Sequence, residues 1–509
     1  MKIQNLSDIL RPVSHEQIRG LSRRDLEQLY LGEQDIRAQL ESFIKVLEEE
    51  KYLIGEMYVR VKNKIFTPST EKFFREKSDK KRKDKKLPED RTLQLSERYP
   101  KAKIIEQDIE LVPPPQCRFC ANHMSDSGMT ETTETLSVIP KQYFIKRQIY
   151  HKYHCKSCHG SIETAPTLPR IKPGSSYDDD FIIDVSLSKY CDLVPIERYA
   201  SIAKRQGFPG LPPNSLIELT HYLAEFLIEV YRMIGNEVVS AKVVYADETP
   251  HRMLEGDEKT NWFLWGFSTL TASYFECHDT RSGSVASGFL LEAQCEYLVS
   301  DVYSGYNKAV TECNEVRTSK GIPVIENSYC NAHARRKFKE LPGEDGVIFL
   351  EKYGEIYKIE REISESSAEE RLIKRQQRSA PIFEEMKLKA TELLETVPNK
   401  SYQAQTANYF LKNFTGLTQF LKDGDLPIDN NHQERLLRSP VIGRKTWGGT
   451  HSIRGAETAA ILFTIVESCK LNKVNPRTYI QKVVKDIHQK KKPYTPYQAA
   501  IDKTHTSSS

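Results

Sequence analysis

Between Leu29 and Val61 apolar residues return every three or four positions, at Leu29, Ile36, Leu40, Phe43, Leu47, Ile54, Met57 and Val61. Glu33 and Glu50 fall on the same seam, so the stripe reads as a long helix or coiled coil with two flaws. A second copy packed along the stripe explains it, and a helix hairpin within the chain explains it equally. The basic run EKFFREKSDKKRKDKK, Glu71 to Lys86, follows as a solvated linker or an arm that touches phosphates. LVPPPQ, Leu111 to Gln116, ends the linker, and a second proline-marked connector closes at Gly174. Helical periodicity then runs to about Val239 in LSKYCDLVPIERYASIAKRQG and NSLIELTHYLAEFLIEVYRMIG, either side of FPGLPP. Two helices across a short turn resemble a helix-turn-helix, although most such pairs do not bind DNA.

After Lys242 the pattern changes. VVYADET, NWFLWGFST, ASYFECHD and YLVSDVYSG are short runs rich in Val, Tyr, Phe and Trp, bounded by Gly, Asp and Ser. They read as strands of a mixed sheet. From Ala334 to Lys422 the chain is helical and charged again, and the stretch IDNNHQER, Ile428 to Arg435, comes after it. A helical block therefore interrupts the sheet domain or follows it.

A chain of 509 residues has room for several domains. Its formal charge of +4 means that a polyanion would be met by local basic patches rather than by a global field. The amino terminus MKIQNLSDILRPV has no apolar core behind basic residues. The longest apolar run, AAILFTIV at Ala459 to Val466, falls far short of the roughly 20 residues that span a bilayer. A soluble, unexported, cytoplasmic protein with no membrane partner is the expectation.

Ten cysteines are sparse in this length, and four of them form CRFC at Cys117 to Cys120 and CKSC at Cys155 to Cys158. Each CxxC turns two sulfurs toward one ion, and two such knuckles complete a closed tetrahedral zinc site that stabilises a small module. His123, His151, His154 or His159 could replace one thiolate. Cys191, Cys277, Cys295, Cys313, Cys330 and Cys469 have no partner spacing and read as ordinary thiols.

Two strand-like runs deliver an acid at what reads as a strand tip: Asp247, followed by Glu248, in VVYADETP, and Asp301 in YLVSDVYSGYN. Glu434 in IDNNHQER is the third candidate. Singly, each has an ordinary explanation. Asp247 could open a turn before Thr249-Pro250, and Asp301 could start one at Tyr303-Ser304-Gly305. Asn431 and Glu434 have capping-box spacing, and Glu434 could also pair with Arg438. Together, three convergent carboxylates could hold hard divalent cations. Two such ions about 3.5–4 Å apart would serve an in-line phosphodiester displacement.

The stretches ADETP (Ala246 to Pro250), SDVYSGYN (Ser300 to Asn307), CNAHARRKF (Cys330 to Phe338) and IDNNHQERLLRSPVIGRKTW (Ile428 to Trp447) resemble the transposases of the insertion sequence 66 family, the DDE-type large subunit. NKIFTPSTEKF and NPRTYIQKVV resemble its flanking segments. The resemblance implies an α+β multidomain protein, in which an RNase H-like mixed α/β catalytic domain carries a helical insertion. A coiled-coil segment, a small zinc-binding module and a helical DNA-binding segment would precede it. The corresponding divisions are 1–70 for the N-terminal helical segment, 71–110 for the basic linker, 111–165 for the zinc module and 166–240 for the helical, helix-turn-helix-like segment. The catalytic domain would take 241–330 and 428–470 around an insertion at 331–427, with 471–509 as a C-terminal segment.

Asp247, Asp301 and Glu434 would then be the catalytic acids, holding two magnesium ions for which manganese can substitute. Cys117, Cys120, Cys155 and Cys158 would hold structural zinc. His333, Arg335, Arg336 and Lys337 would face the DNA backbone, and Arg435, Arg438, Arg444 and Lys445 would neutralise phosphate. The implied activity is cleavage of double-stranded DNA at element ends and transfer of the 3′-hydroxyl into target DNA. The protein would act in the bacterial cytoplasm at the nucleoid, as a homo-oligomer through the coiled coil, with accessory proteins encoded by the element. The competing reading is a catalytically decayed, transposase-derived DNA-binding protein. The family usually has Gly where Val302 stands and an apolar pair where Gly448-Gly449 stand. Val302 asks for a less open turn beside a metal ligand, and the glycine pair for a looser loop near the acid-bearing helix.

Overall fold

The computed structural model describes residues 19–506 except 67–93 and the short stretches 101, 108, 110–114, 117, 125–128, 130, 139–140, 155, 157–161, 255–259 and 342. The chain forms two units, one of residues 1–67 with 150–509 and one of residues 68–149. In the second unit a single turn, Leu95–Arg98, is closed by a reciprocal capping box between Gln94 and Glu97. Ser96 N donates to Glu134 Oε2 (2.8 Å), and Gln116 bridges His123. Cys120 is exposed there; Cys117, Cys155 and Cys158, and most of the basic linker, lie outside the described residues.

In the first unit the periodic N-terminal segment forms α1, Arg23–Phe66, one continuous helix of 44 residues. The hairpin alternative is therefore not formed, and Leu29, Ile36, Leu40, Phe43, Leu47, Ile54, Met57 and Val61 all remain exposed. An exposed antiparallel pair, β1 (Lys152–His154) and β2 (Ile162–Thr164), flanks the second CxxC. The helical segment is four helices rather than two: α2 (Asp179–Tyr190), α3 (Ile196–Arg205), α4 (Pro213–Phe226) and α5 (Ile228–Val239). Its second periodic stretch breaks at Leu227.

A mixed five-stranded sheet follows, built from β3 (Val243–Arg252), β4 (Asn261–Ser268) and β5 (Ser273–His278), then α6 (Gly283–Glu292), β6 (Tyr297–Ser300), α7 (Ser304–Ser319) and β7 (Glu326–Tyr329). The spatial order is β5-β4-β3-β6-β7. β3, β4 and β5 form an antiparallel meander, whereas β6 and β7 join in parallel through helical crossovers. Trp265, Phe267, Phe275 and Tyr306 are fully buried around this sheet.

The charged block is an insertion between β7 and the last motif. It comprises α8 (Asn331–Lys339), α9 (Glu344–Glu362), α10 (Ala368–Lys374), a π-turn at Arg375–Ser379, α11 (Ala380–Thr396) and α12 (Tyr402–Lys412). Phe338, Phe349, Tyr353, Phe383, Phe410 and Phe420 fill its core, which is continuous with Tyr245 and Val299 of the sheet. Glu56 of α1 accepts from Tyr402 N (2.7 Å) and Gln403 N (2.9 Å), satisfying two amides that open α12. Arg60 lies 3.6 Å over the Tyr402 ring, so α1 is fastened to the insertion at this point.

The chain returns through α13 (Asn431–Leu436), α14 (Arg438–Trp447), α15 (Ile453–Leu471), α16 (Pro476–His488) and α17 (Pro496–Thr506). AAILFTIV belongs to the buried α15, which lies against the outer strand β5. Thr464 Oγ1 accepts from Phe275 N (2.9 Å) and Ser468 Oγ accepts from Ser273 N (3.0 Å). These hydroxyls supply the partners that an edge strand otherwise lacks. No helix among the described residues is long and apolar enough to cross a membrane.

Arg375 ties the insertion to the returning segment. Its buried guanidinium pairs with Glu360 (2.7 Å) and donates to the carbonyls of Phe420, Asp423, Gly424 and Leu426. Arg375→Ala strands these acceptors and an acid, so stability should fall by about 3–5 kcal/mol in urea unfolding, with Arg375→Lys in between. A loss under about 1 kcal/mol would contradict this role for the guanidinium.

Candidate active site

The parallel ladder between β3 and β6 ends at Tyr245↔Val299. Beyond it β3 runs on, paired only with β4, and Asp247 opposes Gly266 in that pairing. Asp247 is thus in the middle of a ten-residue strand, not at its tip as the sequence suggested. Asp301 is the first residue after β6. Both acids stand two positions past the last parallel pair and point to the face shared with Tyr245 and Val299.

Asp301 Oδ1 accepts from Tyr303 N (3.0 Å), and α7 starts immediately, at Ser304. The expected Tyr303-Ser304-Gly305 turn is therefore a helix start. Gly305 leaves no room for a Cβ, which would come within 2.3 Å of the Tyr303 ring. The tight turn that Val302 asks for is thus held by its neighbours.

Glu434 arrives on α13, whose first turn is fastened to the sheet. Asn430 Nδ2 donates to Ala246 O (2.8 Å), His432 Nε2 meets Thr269 O (2.8 Å), and Ser268 Oγ donates to Gln433 Oε1. Gly266 makes this approach possible, because a Cβ there would lie 2.1 Å from Gln433 Nε2. The capping box is not formed: Asp429, not Asn431, organises the turn, accepting from Asn431 N (3.1 Å) and from its side-chain amide (2.6 Å). Glu434 does not close onto the helix start. It pairs with Arg336 (3.2 Å) and approaches His333 Nδ1 at 3.7 Å. The helix breaks at Leu437, with Arg438 beyond it.

Burial pushes Asp247 up to about 8, and the charges of Glu248, Asp301 and Glu434 add to the effect. Burial and Glu248 also raise Asp301, opposed by His333, the Tyr303 amide and Arg281. Glu434 is the smallest of these contributions, and its oxygens face α8: among the described residues the ligand atoms that lie within 4.8 Å of one another are those of Cys330, His333 and Glu434, not those of the three predicted acids. Glu248, at 3% side-chain exposure, is answered by Arg281 (2.7 Å) and by the Tyr306 hydroxyl (2.6 Å).

The predicted basic residues are divided. Arg435, Arg438 and Lys445 are exposed on α13 and α14. Arg444 donates to Pro250 O, and Lys337 lies 4.5 Å over the Tyr409 ring. Arg335 is half-buried. His333 and Arg336 turn toward Glu434 rather than outward. Gly448 ends α14 in the left-handed conformation, and Gly449, at φ 144°, would drive a Cβ to 2.2 Å from Arg252 O. Thr450 N donates to Arg252 O (3.0 Å) and Leu254 N to Thr450 O (2.8 Å). The glycine pair fastens this loop to β3 instead of loosening it. Sequence reasoning missed Gly266, Arg281 and Tyr306, for which spacing carries no signal. It also passed over Cys330 beside His333, although C-x-x-H spacing was there to read.

The model of the family described as Transposase IS66 family matches residues 174–458, a span that includes all three acids. Among curated proteins the chain is 28% identical over 410 residues to uncharacterized protein y4hP of Sinorhizobium fredii, covering 75% of this chain and 72% of that one. Uncharacterized protein y4jD of the same organism is 28% identical over 386 residues, with 73% and 74% covered. Uncharacterized protein y4qI, also of that organism, is 25% identical over 404 residues, with 76% and 73% covered.

Asp247 keeps its proton to about pH 8 in the fold but only to about 4 when unfolded, so metal-free stability falls as pH rises through that window. Asp247→Asn cannot ionise. In chelator, its advantage over the wild type in thermal unfolding should grow between about pH 5 and about pH 9, on the order of a few kcal/mol. A pH-independent difference would contradict the repulsion. Gly266→Ala should cost about 1–3 kcal/mol by overpacking against Gln433, and Gln433→Ala in the same chain should recover part of it. Equal loss in both backgrounds would mean that Gln433 is not the obstacle.

Proposed function

The chain belongs to the IS66 family of transposases, and from that membership and the three acids we infer that it cuts DNA at the ends of a mobile element and joins the freed 3′-hydroxyl to target DNA. The observation that carries the inference is Asp247 and Asp301 at matching positions beyond the last β3–β6 pair, with the charge of Glu434 on α13 contributing to the raised Asp247. The sheet, three antiparallel strands continued by two parallel ones, supports an RNase H-like reading of the catalytic domain, with 331–427 as its insertion.

The donor set fits magnesium, and manganese as its substitute. Three carboxylates offer hard oxygen ligands, and their mutual repulsion on Asp247 is relieved by a divalent cation. When bound there, a pair of such ions supplies activation of a water or 3′-hydroxyl and stabilisation of the leaving oxygen. Asp247, Asp301 and Glu434 would be the residues that hold it. Arg281 and Tyr306 keep Glu248 occupied, so this fourth acid does not compete for the cation. Arg435, Arg438 and Lys445 flank Glu434 and bind the phosphates of double-stranded DNA, making affinity salt-dependent. Arg444, spent on Pro250 O, supports the loop beside them.

In the same reading, the thiolates of Cys117, Cys120, Cys155 and Cys158 form the structural zinc site. The exposed stripe of α1 joins copies of the chain, and accessory proteins of the element assist at the nucleoid.

The test is nicking and joining of labelled element-end DNA with magnesium, by the wild type and by Asp247→Asn, Asp301→Asn and Glu434→Gln. Each substitution should reduce cleavage by more than about a hundredfold, since even outer partners of metal ligands commonly cost 10–100-fold. Equal nicking by a variant would remove that residue from the site. Binding without nicking by the wild type, with the element's other proteins present, would favour the decayed DNA-binding protein.

A further inference from the structure

Glu434 has two oxygens in different surroundings. Oε2 accepts from Arg336 (3.2 Å), whereas Oε1 is buried without a hydrogen-bond partner. Facing Oε1 is His333 Nδ1, also buried and without a hydrogen-bond partner, at 3.7 Å. Cys330 Sγ completes a group whose ligand atoms all lie within 4.8 Å of one another. The Arg336 guanidinium donates to His333 Nε2 (3.3 Å), so the metal-free imidazole carries its proton on Nδ1. That N–H and Glu434 Oε1, both short of a hydrogen bond beside a thiol in a fold that satisfies most buried polar groups, need an explanation.

The group is also built in advance of any ligand. Asn430 N donates to Cys330 Sγ (3.2 Å) and Asn331 N to Ile428 O (3.2 Å). Asn331 Nδ2 bonds Leu417 O (2.8 Å) and Ile428 O (3.1 Å), and the Tyr353 hydroxyl donates to Asn331 Oδ1 (3.2 Å). These bonds lock the first turn of α8 to the segment that leads into α13. Cys330 and His333 are thereby held against Glu434, although about a hundred residues of insertion separate them in sequence.

We propose that Cys330, His333 and Glu434 form a second metal site, selective for a thiophilic divalent cation of the zinc class, which competes with catalytic magnesium for Glu434. A thiolate, an imidazole and a carboxylate are zinc ligands, at about 2.0–2.3 Å, and leave the fourth tetrahedral position open. Magnesium prefers oxygen ligands and does not take such a set. Bonding requires the three donors to close by roughly an ångström. Glu434 is partly exposed, and Arg336, half-exposed, swings away from it. Occupation keeps Glu434 on α8, where it already faces His333, and away from Asp247 and Asp301, so zinc at this site opposes cleavage. The competition rests on the reading of Glu434 as a magnesium ligand; the binding of zinc does not.

The experiment measures zinc per chain in the purified full-length protein by elemental analysis, and zinc inhibition of magnesium-dependent nicking. The wild type should hold about one more zinc than Cys330→Ala, Cys330→Ser or His333→Gln, and Cys117→Ser with Cys155→Ser should lose a different equivalent. Cys330→Ser keeps an acceptor for Asn430 N and guards against a folding defect, checked by circular dichroism. Micromolar zinc should suppress nicking by the wild type at least about tenfold more than nicking by Cys330→Ser, with basal nicking unchanged. Equal zinc content in the wild type and all three variants would overturn the site, whether or not the protein cuts DNA. A lost equivalent with unchanged zinc sensitivity would overturn the competition.

Discussion

Like charges near one another inside a fold repel, and Asp247 stands buried among them, raised by Glu248, by Asp301 and, least, by Glu434. Asp247 and Asp301 lie where β3 and β6 stop pairing, with Glu248 next in the chain, while Glu434 faces Arg336 and His333 of α8. Burial alone disfavours each ionised form, and proximity adds to the cost. Such a cluster persists only because the surrounding structure is stable enough to impose it, which is the usual condition of a functional site.

The restraints come from every side. Arg281 offsets the charge of Glu248, the Tyr306 hydroxyl donates to it, and the Tyr303 amide holds Asp301. Asn430, His432 and Gln433 dock α13 on β3 and β4, across the space that Gly266 leaves open. On the far side Gly449 closes against Arg252, so α14 and its basic residues are fixed to the end of the same strand. The insertion contributes as well. Its aromatic core is continuous with Tyr245 and Val299, and Arg375 stitches its end to the segment that delivers α13. The site is therefore rigid in its scaffold, while the Glu434 side chain alone retains a choice of partners.

Much of this was legible in the sequence. The change from helical to strand-like periodicity near Lys242, the two acids in apolar runs and the helical block before IDNNHQER correspond to β3, β6 and the insertion. The extent of β3 was not legible, because Thr249-Pro250 reads as a turn. It is a strand because β4 pairs with it from Tyr245 to Arg252, and Pro250 sits where β3 has a neighbour on one side only. The capping box failed because Asp429 offers its carboxylate to Asn431 first. Gly448-Gly449 read as looseness because local propensity cannot reveal the close approach of Arg252. The division of α4 from α5 and the turn of His333 toward Glu434 depend on tertiary contacts that no periodicity encodes. The zinc module expected from the two CxxC pairs falls largely outside the described residues, which include Cys120 but not Cys117, Cys155 or Cys158.

The central proposal is that Asp247, Asp301 and Glu434 together hold the pair of hard divalent cations. Iron(II) put in place of magnesium, with ascorbate and peroxide, cuts the polypeptide next to the residues that hold it, and the fragments can be read by mass spectrometry. The account predicts cuts adjacent to all three acids, suppressed by excess magnesium and lost together in Asp247→Asn. Cuts confined to the neighbourhood of Cys330 and Glu434, or none near Asp247 and Asp301, would contradict it.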